Sequence, residues 1–147
     1  MSRHTARERA FKFLYQREFH PKKAGQQKDE FLILDPIQAP EDLDYFEQLV
    51  DGVTANRQEI DVIIEKYLRG WTMERQLLID LSILRIAIYE MLFDTEVPVE
   101  IAISEAVIFA NEYGTDESRA FINAVLGNID KNEIQRKESL APEECCQ

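Results

Sequence analysis

The sequence predicts an all-α protein, a bundle of about seven helices, and three observations carry that prediction. Apolar residues recur at three- and four-residue intervals through most of the chain. No segment alternates apolar and polar residues for the length of a convincing strand. Glycine and proline, which punctuate turn-rich β folds, number only five each in 147 residues. With 45% hydrophobic and 31% charged residues the composition is that of a globular chain. At 17.2 kDa it suits one domain whose core needs no disulfide or metal staples.

The elements follow in order. Between Thr5 and Phe19, the residues Ala6, Ala10, Phe13, Leu14 and Arg17 share one side of a helix, with Arg9, Lys12 and Gln16 on the other. Pro21 lies just past its end, where proline often follows a helix. Residues 20–40 read as a connector, with Pro21, Gly25, Pro36, Pro40 and the polar run Gln26 to Glu30. Inside it, Phe31-Leu32-Ile33-Leu34 is read as a core anchor or a last helical turn, with a short strand as the alternative. Pro40-Glu41-Asp42 starts a helix, because proline suits the first turn and acids complement the dipole there. Tyr45, Phe46, Leu49, Val50 and Val53 form its apolar face, continued by Ile60, Ile63, Ile64, Tyr67 and Leu68 after a bend expected near Asn56. Gly70-Trp71-Thr72 breaks the pattern, and Thr72 is expected to cap the next helix, the very apolar stretch Leu77 to Leu92. Ile101, Ile103, Ala106, Val107 and Ala110 mark another, closed by Gly114. Thr115 is expected to cap the last, whose buried side is Phe121, Ile122, Val125, Leu126 and Ile129. Residues 1–130 thus read as one helical domain with an N-terminal part to about residue 70 and a C-terminal part beyond it, and 131–147 as a polar tail that frays.

The net charge of −11 is unevenly spread. Seven cations (Arg3, Arg7, Arg9, Lys12, Arg17, Lys22, Lys23) against Glu8 and Glu18 give residues 1–23 a charge of +5, which leaves −16 on the other 124. Either the basic end meets a polyanion, or the first helix pairs with acidic neighbours in the fold; charge alone leaves both open. A catalytic reading finds no constellation. The glycines are isolated, so no phosphate-cradling loop exists, and no G-x-S-x-G elbow is present. His4 and His20 have no ligand-spaced companions, and the adjacent Cys145 and Cys146 form neither a disulfide framework nor a zinc site. No cofactor or metal is therefore expected. Arg85 and Glu90, inside the most apolar helix, are expected as internal ion-pair or hydrogen-bonded anchors, and Asn123 as a partner of neighbouring backbone. Tyr15 lies off the Ala10–Leu14 side, near Lys12 and Phe19, and reads either as binding surface or as packing. No run approaches a membrane span and no apolar signal region opens the chain, so a cytoplasmic location away from membranes is expected.

An ordered set of motifs carries a resemblance. Ala6-Arg7-Glu8 with Leu14-Tyr15-Gln16, then Tyr45-Phe46 with Gly52-Val53 and Asn56, occur along the N-terminal part. Ile83-Leu84-Arg85-Ile86-Ala87-Ile88-Tyr89-Glu90 follows, then Val97-Pro98 with Ala102-Ile103-Ser104-Glu105-Ala106. Tyr113-Gly114-Thr115, Ser118 and Phe121-Ile122-Asn123-Ala124-Val125-Leu126 complete the series. Taken together, residues 3–19 and 44–130 resemble the NusB family of transcription antitermination factors. The resemblance implies two helical subdomains and a non-catalytic protein that binds the boxA element of ribosomal RNA leader transcripts. It also implies partnership with NusE, a ribosomal protein, within an RNA polymerase antitermination complex that suppresses premature termination. By the same resemblance, Arg3, His4, Thr5 and Arg7 are expected to contact RNA, with Arg119 and Phe121 extending that surface. Tyr15 and Asp80 are expected to face NusE, Asp80 from the outward face of its helix. The sequence departs from the family's frequent N-terminal arginine cluster, reading Arg3-His4-Thr5 instead. Two other readings compete: a NusB-like module of an RNA cytosine methyltransferase, whose methyl-donor loop none of these glycines could form, and a helical scaffold that binds only protein.

Overall fold

A computed structural model describes residues 3–19, 24–69, 72–94 and 96–135. Among them six α-helices follow one another: α1 (His4–Arg17), α2 (Ala24–Leu34), α3 (Pro40–Lys66), α4 (Leu78–Leu92), α5 (Val99–Tyr113) and α6 (Ser118–Ile129). A short 3-10 turn, Met73–Arg75, precedes α4, and a π-helical turn, Asp130–Gln135, extends α6. No strand occurs among the described residues.

The core is organised around α4. Every residue from Asp80 to Met91 is buried, because α1, α3, α5 and α6 pack around that one helix. A helix apolar on all sides belongs at the centre of a bundle. The α3–α4 contact is close: a Cβ on Gly52 would lie 2.3 Å from the Tyr89 ring, so only glycine lets the helices meet there. Arg85 and Glu90, buried on α4, are internal anchors as expected. Arg85 donates to Asp61 on α3 at 2.9 Å and to Glu18 just past α1 at 2.9 Å.

Several local expectations are corrected. Much of the expected connector is α2, an 11-residue helix. Its Phe31 anchors it by stacking on Phe46 at 6.0 Å and meeting Phe13 edge-on at 5.4 Å, which rules out the strand alternative. No bend interrupts the 27 residues of α3 near Asn56; its Nδ2 donates to the Gly52 carbonyl at 2.9 Å on the helix surface. Thr72 precedes the 3-10 turn rather than α4, which begins after Leu77 without a side-chain cap. Gly114 does close α5, its N–H bonding the Ala110 carbonyl at 2.9 Å. Thr115 does not cap α6; its backbone N–H donates to Ser118 Oγ at 2.9 Å, and Glu117 holds the cap position. Asn123 faces solvent on α6. Within the stretch read as a polar tail, Ile134 packs on the core and Glu133 pairs with Lys66 at 2.8 Å. Gly70, Trp71, His20, Pro21, the rest of the tail and both cysteines lie outside the described residues.

Candidate nucleic-acid interface

The first turn of α1 is where the basic end of the sequence meets the bundle. The apolar positions Ala6, Ala10, Phe13 and Leu14 fix which way this helix turns, and Arg7, one residue from Ala6, is carried inward with them. Its side chain is 5% exposed; Nε lies 2.8 Å from a Glu90 carboxylate oxygen and Nη1 lies 3.1 Å from Glu105. Tyr45 of α3 also donates its hydroxyl to Glu90, and to Asp94 at 3.2 Å. Burial pushes the Glu90 carboxyl above its ordinary range, although Arg7 and the Tyr45 hydroxyl pull the other way. Burial opposes the charge on Arg7, yet the Glu90 carboxylate beside it outweighs that and keeps the guanidinium firmly protonated. Burial, reinforced by Glu90, raises the Tyr45 phenol as well.

Arg7 is therefore held as an internal anchor between Glu90 and Glu105 rather than standing free at the surface as expected. Its neighbours stay at the surface. Arg3 is half-buried, its guanidinium 4.1 Å over the Tyr45 ring and 3.6 Å from Glu96. His4 stacks on Phe109 of α5 at 5.2 Å and places Nδ1 3.2 Å from Glu105. Thr5 is exposed. Arg3, His4 and Thr5 thus form one edge, supported from below by the Arg7–Glu90–Glu105 network. Arg119 is exposed and Phe121 half-buried on α6, which packs on α5 and α4. They stand on a different helix from the α1 trio; α4 packs against both helices, and α5 packs on α6 and meets α1 through the His4–Phe109 stack.

The other described cations of the basic end are largely answered within the fold. Arg9 pairs with Glu8 at 2.8 Å and Asp35 at 2.9 Å. Lys12 lies 3.9 Å from Glu8 and 5.7 Å over Tyr113, and Arg17 donates to Thr54 at 2.7 Å. Among the described residues, the basic excess is thus partly structural.

The two residues expected to face a partner protein differ sharply. Tyr15 is half-buried and meets Phe19 edge-on at 5.3 Å, with Phe19 itself 55% exposed. Together they make an aromatic surface at the far end of α1. Asp80 is 5% exposed, so its expected place on an outward face is corrected: α4 has no such face along this stretch, being covered on all sides. Burial raises the Asp80 carboxyl above its ordinary range, while a hydrogen bond with Ser118, the first residue of α6, partly offsets that. Sequence reasoning passed over Tyr45 and Glu105 as site residues. Tyr45 reads as core in the sequence because it follows the apolar stripe, and one acid among 28 carries no signal. Among the described residues no group of three or more His, Cys, Asp or Glu could hold a metal ion, and no helix is long and apolar enough to cross a membrane.

The sequence matches the model of the NusB family over residues 4–131. The chain belongs to the NusB family. It is 40% identical to the transcription antitermination protein NusB of Bacillus cereus over 130 residues, covering 88% of this chain and 97% of that one. Its fold is similar to that of T. maritima NusB, with a TM-score of 0.80, 33% identity, and coverage of 90% and 92% of the two chains. It is also similar to a chain in the crystal structure of antitermination factors NusB and NusE in complex with dsRNA, with a TM-score of 0.81 at 27% identity. That match covers 89% of this chain and 98% of the other. The NusB fold accounts for the six-helix architecture. The family's members are transcription antitermination proteins, in keeping with the motif series.

Proposed function

We propose that this protein is a non-catalytic, cytoplasmic transcription antitermination factor. With NusE it binds boxA-type single-stranded RNA of ribosomal leader transcripts and joins the RNA polymerase antitermination complex. The observation that carries this reading is the Arg3–His4–Thr5 edge, a surface of cation, imidazole and hydroxyl held on a buried network within the NusB fold. Such groups suit the phosphates and unpaired bases of single-stranded RNA. Arg119 and Phe121 extend the surface from α6. Tyr15, with Phe19 beside it, faces the partner protein.

With an overall charge of −11, the long-range field opposes RNA, so NusE, as a ribosomal protein, supplies part of the attraction. Fluorescence anisotropy with a boxA-type RNA, with and without NusE, tests the reading. Binding should be weak alone and tighter with NusE, with a log–log salt slope of about −2 to −4 for three to five phosphate contacts. The internal pairing of Arg7, Arg9 and Lys12 favours a second reading, a scaffold that binds only protein. No RNA binding by the chain alone, and none added by it to that of NusE, would decide for the scaffold.

A further inference from the structure

Beside the Arg3 edge lies a cleft of about 460 Å³, between the first turn of α1 and the start of α5. That volume falls within the range of small-ligand pockets, about 300 to 1,000 Å³. We propose that this cleft receives a single unstacked nucleobase of the bound RNA, one bearing an amino group. The inference rests on the RNA-binding reading above and deepens it by placing one base.

The chemistry of the walls makes the case. Val97, Pro98 and Ile101 give the cleft an apolar side, and Ile101 is 46% exposed there. A flat aromatic base buries such a surface well, whereas a hydrated phosphate does not. Ser104 and Glu105, one turn further along α5, line the same cleft and provide hydrogen-bonding groups. Glu105 accepts from Arg7 and His4 chiefly through Oε1, at 3.1 and 3.2 Å. Its second oxygen meets only the longer 3.3 Å contact with His4, which leaves it capacity to accept an amino N–H from a base edge. Uracil, without an amino group, would make a poorer partner.

Charge separates a base from a cationic side chain of a protein partner. Arg3 and Arg7 line the cleft together with Glu96 and Glu105, so two guanidinium groups balance two carboxylates. A neutral cleft of this kind gives a lysine or arginine little to gain, while it accepts a neutral base. Arg3 stands at the rim, its guanidinium held over Tyr45 and beside Glu96, where the phosphate next to an inserted base would pass. Arg3 is in this way a positioning group for the backbone, and the cleft reads the base.

The test combines a variant with an altered RNA, using the full chain with NusE present. A fluorescent boxA-type RNA is compared with a series in which each position in turn is abasic, so that a base is lost but no phosphate. One abasic position should weaken binding about tenfold or more, the usual worth of a well-held base, and the others much less. Ser104 is exposed on α5, so Ser104→Trp can fill the cleft while circular dichroism stays helical. This variant should bind intact RNA about tenfold more weakly, and the penalty of the special abasic position should vanish in it. Equal penalties at every position in the unaltered protein overturn the pocket, whether or not the variant folds. A folded Ser104→Trp that keeps the special penalty also overturns it. Loss of NusE binding with RNA binding unchanged assigns the cleft to a protein side chain instead. No binding of intact RNA by the unaltered chain with NusE removes the RNA reading itself and the pocket with it.

Discussion

Two of the described arginines, Arg7 and Arg85, are buried in this bundle, and they differ in how much water reaches the acids they hold. Arg7 of α1 meets Glu90, whose side chain is 1% exposed, deep between α1, α3 and α4. Arg85 of α4 meets Asp61 and Glu18, whose side chains are 23% and 19% exposed, and Arg57 approaches the same Glu18 at 2.7 Å from the surface. Both networks tie α1 to the rest of the fold. Only the first also supports a candidate ligand surface, because Glu105 holds His4 and Tyr45 carries Arg3. A sealed ion pair costs much desolvation, and an apolar replacement of similar size is often as stable. Its value here lies in orientation: it fixes the first turn of α1, and with it the Arg3–His4–Thr5 edge.

The sharpest way to break this comparison is to remove one arginine at a time. Arg7→Ala leaves the Glu90 carboxyl buried without its principal partner, and should destabilise the protein by about 3 to 5 kcal/mol. Arg85→Ala leaves acids that water can reach, and should cost about 1.5 to 3 kcal/mol, the scale of a hydrogen-bonded charged group. Urea denaturation of both variants measures the gap, and equal losses would show that the two networks are equally sealed. Triple replacement by Arg7→Met, Glu90→Leu and Tyr45→Phe sharpens the comparison further. It should recover most of the stability lost by Arg7→Ala, yet bind RNA poorly because the Arg3 and His4 supports are altered.

A third outcome concerns pH. Asp80 and Glu90 both have carboxyl groups raised by burial, so the folded protein holds their protons more tightly than the unfolded chain does. For Asp80, stability must therefore fall as pH rises from its ordinary value of 3.8 through the raised one. Asp80→Asn keeps a partner for Ser118 and removes the titration. It should flatten the fall of stability as pH rises above 3.8 towards neutrality and be at least as stable as the unaltered protein at pH 7. An unchanged slope in thermal melts across that range would falsify the buried position of this acid.

Much of this fold was legible in the chain because helices follow from local spacing. The stripes of α3, α4 and α5 are read directly from residues such as Leu49, Leu84 and Ala106. What escaped depended on contacts between distant segments. α2 hides in a polar, glycine- and proline-marked stretch, and only the rings of Phe13 and Phe46 make its Phe31 a core residue. Asp80 looked outward because a lone acid in an apolar run usually marks a wet face; α4 has none there, since four helices surround it. The site was half legible. Residues at the chain's basic end could be named, but whether a given arginine meets RNA or an internal acid depends on Glu90 and Glu105, 83 and 98 residues away.

The smallest effect on stability is expected at Arg3, and it separates support from contact. Arg3→Glu loses a 3.6 Å pair with an exposed Glu96 and a contact over the Tyr45 ring. Exposed contacts of these kinds are each worth up to about 1 kcal/mol, so the midpoint of denaturation should move only slightly. RNA binding should nonetheless fall several-fold, since the change removes a cation at the rim of the cleft and puts a carboxylate where a phosphate would pass. Arg7→Glu cannot serve the same purpose, because a third carboxylate beside Glu90 and Glu105 would unfold the bundle and lower RNA binding for that reason alone. Denaturation and anisotropy measured on the same Arg3→Glu preparation decide the matter. A folded variant with full RNA affinity would move the contact surface off the first turn of α1 and leave the Arg7 network a purely structural device, no different in kind from that of Arg85.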